Sequence, residues 1–589
     1  MQSPWLREAC CSSGCCPNPF LGLPECEAST SGTPSKSAAA SRYEFELSTA
    51  ASLYPNSHFT NHESLPSLEE SFACFNKVYP QYSQTDQADK IRALEYHHLS
   101  LNIACFDYIG HGLFSFSQLQ NHLLPSPFFD ISCKSVDLNS QLLFGGGETE
   151  FQSGFRKRIM GFMNISEADY TMVFTANQVS AFKLLADSYP FQTSQNLLTV
   201  YDHQSEAVEV MIERSKKRGA TAMSACFSWP NLQIQAEKLR RKIASKSKRR
   251  GLFVIPLQSR VTGSRYSYTW LSLARENGWH VLLDASALGA KEMETLGLSL
   301  FDPDFLICSF FKVFGEIPSG FCCLFIKKSA AASVLKDSGT ATGVGIVNIV
   351  PVSKPTPIPG SISAGSTIGS KQKEDPIGSF SGPLSISIQH SNQGTKAKSK
   401  SLSFSEIEEA ATIESGIANA PQNIECRALD HADSLGLLLI STRTRSLINW
   451  LVNALMSLRH PHSENGIAAV RIYGPKIMFD RGSAVAFNVF DWKGERIYPA
   501  LVQKLADRNN ISLSIGYLQH ILFADKHEEV KEKDKLQAGI SVVTASLGFL
   551  TSFEDIYRLW AFVSRFLDAD FLEKEKWRYK AINQKTIEI

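Results

Sequence analysis

No window of this 589-residue chain holds eighteen apolar residues in a row, roughly the length that a helix needs to cross a bilayer. The sequence therefore predicts no membrane anchor. An excess of one charge is missing too: 59 Lys and Arg stand against 58 Asp and Glu. No whole-chain field draws the protein to nucleic acid or to a lipid surface, so neither is expected as a partner. The first residues show no basic segment followed by an apolar one, which predicts a cytoplasmic protein. A leader rich in Ser and poor in acidic residues keeps plastid import as the alternative. Beyond Cys426 there is no cysteine, and the 13 present are expected as free thiols in a reducing compartment. Cys10, Cys11, Cys15 and Cys16 crowd into "CCSSGCC", but no His or further Cys pair completes a zinc spacing, so no metal is expected. What is plentiful is core material. With 43% hydrophobic and 20% charged residues, the chain can bury one large core or split into a few domains.

Residues 1–64 lack sustained periodicity and read as a disordered Ser- and Cys-rich leader. A second low-complexity tract, 336–422, carries "PVSKPTPIPGSISAGSTIGSKQ" and reads as a long insertion. It divides a large domain, 65–335, from a smaller C-terminal part, 423–589. The basic run "KLRRKIASKSKRR" (238–250) reads as the solvated end of a surface helix rather than a nucleic-acid contact.

Within 65–335, short apolar runs alternate with helix-like stretches, as in a mostly parallel sheet with crossover helices. "TMVFTANQ", "NLLTVYDHQ", "GLFVIPLQS", "WHVLLDASALG" and "DFLICSFFKVFG" predict strands ending near Thr175–Gln178, His203, Gln258, Asp284 and Ser309–Lys312. Ligands of open α/β sheets sit beyond such carboxyl ends. Lysine is costly to bury as a charge, so Lys312, among aromatic neighbours, either snorkels or works as a neutral amine. Asp284 ends the preceding strand, 28 residues earlier. That pair suits pyridoxal 5'-phosphate: the lysine forms the Schiff base and the carboxylate keeps the ring nitrogen protonated. His203 is then expected to stack on the ring and exchange protons, and Gln258 to bond its phenolic oxygen. Thr175, Gln178 and Ser309, with the amides that open the helix after Asn177, are expected to hold the phosphate.

"FTANQVSAFKLLADSYPF", "YDHQSEAV", "PLQSRVTGSRYSY", "HVLLDASALG" and "SFFKVFGEIPSGF" together resemble successive motifs of the class V aminotransferase sulfurases, above all the sulfurase domain of molybdenum cofactor sulfurases. The resemblance covers roughly 65–335 and 425–565. It implies the α/β fold type I of the pyridoxal-phosphate-dependent transferases: a large domain with a mixed, mostly parallel sheet, plus a smaller α+β domain built from C-terminal and N-terminal segments. It also implies a homodimer and a small amino-acid substrate such as cysteine. Lys312, Asp284, His203, Gln258 and Ser309 fall on the family's cofactor positions.

Two departures narrow the reading. Where the family reads Thr-Ala-Gly-Ser-Thr, this chain reads Thr175-Ala176-Asn177-Gln178-Val179, which is expected to weaken the phosphate grip. Sulfur transfer needs a mobile cysteine thiolate, yet the matching segment reads Ser514-Ile515-Gly516-Tyr517-Leu518-Gln519, without that cysteine or the arginine expected for the substrate carboxylate. Cys322, Cys323 and the N-terminal cluster are the substitutes available. On this reading the C-terminal domain that the family carries is expected to be missing as well. The expected function is a pyridoxal-phosphate-dependent transferase of sulfurase type, with a lyase, a transaminase or a non-catalytic interaction protein as the alternatives.

Overall fold

The computed structural model describes residues 58–100, 103–120, 129–134, 136–144, 147–244, 251–292, 301–315, 319–335, 345–351, 424–461, 467–475, 481–522 and 539–581. The leader before residue 58, with its cysteine cluster, and most of the 336–422 tract lie outside them.

The central sheet is built from the predicted runs. Its strands are β1 (Tyr170–Thr175), β2 (Asn196–Thr199), β3 (Thr221–Ser224), β4 (Gly251–Pro256), β5 (His280–Asp284), β6 (Phe305–Val313) and β7 (Gly320–Lys327). They lie in the order β1-β7-β6-β5-β4-β2-β3. All run parallel except β7, which is antiparallel to both neighbours. A short strand, His111–Phe114, pairs in parallel with the far end of β6, past the point where β5 stops. This is a mixed, mostly parallel α/β sheet, as the resemblance implies.

The strands are apolar on both faces because helices cover both. Every residue of β4 is buried. Phe253 and Ile255 enter one core cluster while Leu252 and Val254 enter the other, the period-2 alternation of a strand covered on both sides. Helix α1 (Gln178–Ser188) follows β1 directly. It begins there because the Asn177 side chain accepts the Ser180 N–H at 2.8 Å, an N-cap. Asn177 itself is extended (φ −163°, ψ 179°), so Asn replaces the family's Gly without strain.

The C-terminal part supplies a four-stranded antiparallel sheet from Val470–Tyr473, Ala484–Val489, Ser514–Leu518 and Ile540–Ser546. Its core takes in the N-terminal helix Leu68–Val78: the Phe75 ring lies 4.7 Å from Phe553 at a tilt, and Trp450 lies 5.5 Å from Trp560. Arg443, fully buried, bonds Asp89, Thr85 and the Thr551 carbonyl, tying the two ends of the chain together. The long helix carrying it, Arg427–Met456, breaks at Gly436, whose φ of 74° is left-handed. The strand Val347–Pro351 pairs with Phe129–Cys133, so ordered chain continues into the tract expected as insertion from 336. All described residues belong to one compact unit. Ala236–Ile243 of the basic run is a helix with Leu239 and Ile243 buried. Among the described residues, no helix is long and apolar enough to cross a membrane.

Candidate functional site

Register brings several of the predicted residues to neighbouring strand ends. Asp284 closes β5 and is 4% exposed. Its Oδ1 accepts the Ser286 N–H at 3.0 Å and the Ser286 hydroxyl at 2.5 Å. Oδ2 accepts Gln178 Nε2 at 3.0 Å and the Tyr201 hydroxyl at 2.9 Å. Gln178 therefore meets Asp284 directly, across the sheet from the helix N-terminus where a phosphate was expected.

His203 sits on a second network. Asp202, fully buried, accepts His203 Nδ1 at 2.8 Å, the Ser259 hydroxyl at 2.7 Å and the Thr262 hydroxyl at 2.6 Å. Burial alone would raise the Asp202 carboxyl; the bonds from His203, Thr262 and Ser259 outweigh it and hold the pKa below the ordinary value. A carboxylate on Nδ1 puts the proton there and leaves Nε2 as the second ring nitrogen.

Gln258 lies beside Ser259 and is 2% exposed. Its Nε2 reaches the Ala287 carbonyl only at 3.4 Å, and its Oε1 is buried without a partner. Room for that carboxamide depends on Gly482, where a Cβ would fall 1.7 Å from Oε1.

Thr175 and Ser309 meet through the strand between them, since both pair in register with Cys322. Thr175 donates to the Cys322 carbonyl at 3.0 Å, and Ser309 Oγ lies 3.3 Å from Cys322 Sγ.

Lys312 is the member set apart. Its Nζ donates to the Phe129 carbonyl at 2.9 Å and lies 4.5 Å from the Phe129 ring. Burial lowers its pKa and Asp130 opposes that. Ile307, the register partner of Asp284, is five residues back along β6, about 16 Å of extended strand. Among the described residues, Lys312 bonds none of Asp284, His203 or Gln258.

A cleft opens next to Gln258, between Gly110, Phe311, Ser483 and Leu547. Arg260 stands in it, two residues after Gln258. The sequence carries no expectation for this residue; the signal for it is a charge placed directly after a strand end in an otherwise uncharged turn. Its side chain is exposed to the cleft, and the surrounding protein lowers its pKa while the Asp284 carboxylate opposes the shift. Among the described residues no group of His, Cys, Asp and Glu is arranged to hold a metal.

No family model matches the chain. It is 24% identical over 446 residues to molybdenum cofactor sulfurase of Bos taurus, covering 69% of this chain and 44% of that protein. It is 24% identical over 525 residues to molybdenum cofactor sulfurase of Homo sapiens, covering 80% and 51%. The chain spans about half the length of the curated relatives it matches. Among solved structures, it is similar to the apo structure of cysteine desulfurase from Thermococcus onnurineus NA1, with a TM-score of 0.49 and 16% identity over 81% of this chain and 98% of that one.

Proposed function

Taking the chain as a molybdenum cofactor sulfurase-like protein with the fold type I of the pyridoxal-phosphate-dependent transferases, we propose that it binds pyridoxal 5'-phosphate at the carboxyl ends of its central strands and acts on a small amino acid in the adjoining cleft. One observation carries this reading: the buried Asp284 carboxylate at the end of β5, with the buried carboxamide of Gln258, whose Oε1 has no partner, two residues past the end of the neighbouring β4. A buried carboxylate suits a protonated ring nitrogen, and a carboxamide with an unpartnered oxygen and one long bond from its nitrogen suits a ring oxygen, to which either of its ends can turn. Gln178 and Lys312 must each change rotamer to admit the group, and both are long, half-buried side chains.

When bound, the cofactor supplies an electron sink for negative charge on the substrate's α carbon. Asp284 holds a proton at the ring nitrogen. His203, oriented by Asp202 through Nδ1, offers Nε2 for proton exchange. Lys312 supplies the anchoring amine, and its lowered pKa enlarges the neutral share that reacts.

Sulfur transfer through a thiol of the described chain is not supported. No cysteine lines the cleft. Burial pushes the Cys322 thiol up to about 12 and the Cys323 thiol well above its ordinary value, so both are thiols rather than thiolates at neutral pH. We therefore place the reaction among those that need no cysteine of these residues, a lyase or transaminase. The same relationship implies a homodimer. A second reading, a sulfurase-like interaction protein without the cofactor, is favoured by the four protein donors already on Asp284.

The test is a visible absorption spectrum with added cofactor, followed by incubation with cysteine and with alanine. A coloured protein that turns either amino acid over, releasing a keto acid or ammonia, supports the reading. A protein that stays colourless refutes it.

A further inference from the structure

We propose that the cleft beside Gln258 is a binding site for a small carboxylate with an apolar body, and that Arg260 takes the carboxylate. Arg260 is the one charged residue lining the cleft. Among the described residues it has no hydrogen bond and no ion pair, although the Asp284 carboxylate acts on it at longer range. A guanidinium that opens to the cleft and has no protein acceptor keeps its N–H donors available to an anion. An incoming carboxylate can accept two parallel N–H···O bonds from it, the pairing that guanidinium geometry favours.

The rest of the lining sets the body of the ligand. Tyr108, Phe311, Phe314 and Phe549 give the cleft aromatic walls, and Gly110 and Gly112 leave space between them. Close by, the Gln258 carboxamide has an unmet bond, available to a polar group on the same ligand. The segment Ser514–Gln519, where the resemblance places an arginine for the substrate carboxylate, has none; Arg260 brings that charge to the cleft from the turn after β4. The identification of this ligand as substrate rests on the cofactor reading above, whereas the binding itself rests on Arg260.

The test uses the full chain with no cofactor added, titrated calorimetrically with 3-phenylpropionate, with its neutral amide and with inorganic phosphate. Wild type is expected to bind the carboxylate in preference to the amide and the phosphate. Arg260→Gln is expected to lose about tenfold to a hundredfold in affinity, with Arg260→Lys in between. Because Arg260 makes no bond of its own, Arg260→Gln should melt no lower than wild type. Equal affinity in wild type and Arg260→Gln, binding of the amide as tight as that of the acid, tighter binding of phosphate, or a lower melting temperature in Arg260→Gln would each overturn the assignment. A protein that binds 3-phenylpropionate through Arg260 yet stays colourless with pyridoxal phosphate refutes the cofactor reading alone.

Discussion

Gln178 donates through Nε2 to Asp284 Oδ2 at 3.0 Å, joining the first residue of helix α1 to the carboxylate that ends β5. The family has a hydroxyl residue where Gln178 stands. Here the longer side chain already donates to the Asp284 carboxylate; on the cofactor reading it competes with the ring nitrogen for that oxygen instead of gripping the phosphate.

Replacing Gln178 by Ser should therefore strengthen cofactor binding. It vacates one of two donors on Oδ2, and one hydrogen bond to a charged group corresponds to about tenfold in affinity. A titration of pyridoxal phosphate followed by protein fluorescence reads the change. Unchanged or weaker binding in Gln178→Ser would assign Gln178 to the phosphate after all.

His111 should make the fold acid-labile. It is fully buried between Phe162 and Phe310, and neither ring nitrogen has a partner. Burial, helped by Lys291, brings its pKa from 6.5 down to about 4. The unfolded chain thus takes up a proton below pH 6.5 that the folded chain refuses, so stability is full above 6.5 and falls as pH drops towards 4. The loss from this residue alone is about 3 kcal/mol. Urea unfolding of wild type and His111→Leu at about pH 7 and about pH 4 should show a shallower acid loss in the variant; identical pH dependence would contradict the account.

Thiol chemistry supplies another check. Cys133 is exposed, while Cys308, Cys322 and Cys323 are fully buried with raised pKa values. Brief alkylation of native protein at mildly alkaline pH, mapped by mass spectrometry, should label Cys133 and spare those three. Rapid labelling of Cys322 would reopen sulfur transfer through it.

The sheet was largely legible in the sequence because its strands are continuous apolar runs closed by polar residues, and a strand buried on both faces cannot hide that pattern. Asp284, His203 and Gln258 were legible for the same reason: they end such runs. What the sequence could not show was the rotamer level. The reach of Gln178 to Asp284 and the turn of Lys312 towards Phe129 depend on which strands are neighbours, and the antiparallel insertion of β7 between β1 and β6 decides that. Arg260 escaped notice because one arginine in a polar turn looks like any solvated surface charge until the cleft around it is built. The ordered strand at 347–351 was hidden because it borders a Ser-, Gly- and Pro-rich tract and pairs with a segment more than two hundred residues earlier.

The most direct test of the cofactor reading is chemical trapping. The protein is mixed with pyridoxal phosphate, reduced with borohydride, digested and mapped for phosphopyridoxyl lysine. The account predicts the group on Lys312, with the trapping lost in Lys312→Ala and reduced in Asp284→Asn. A group spread over surface lysines, or none at all, would contradict it.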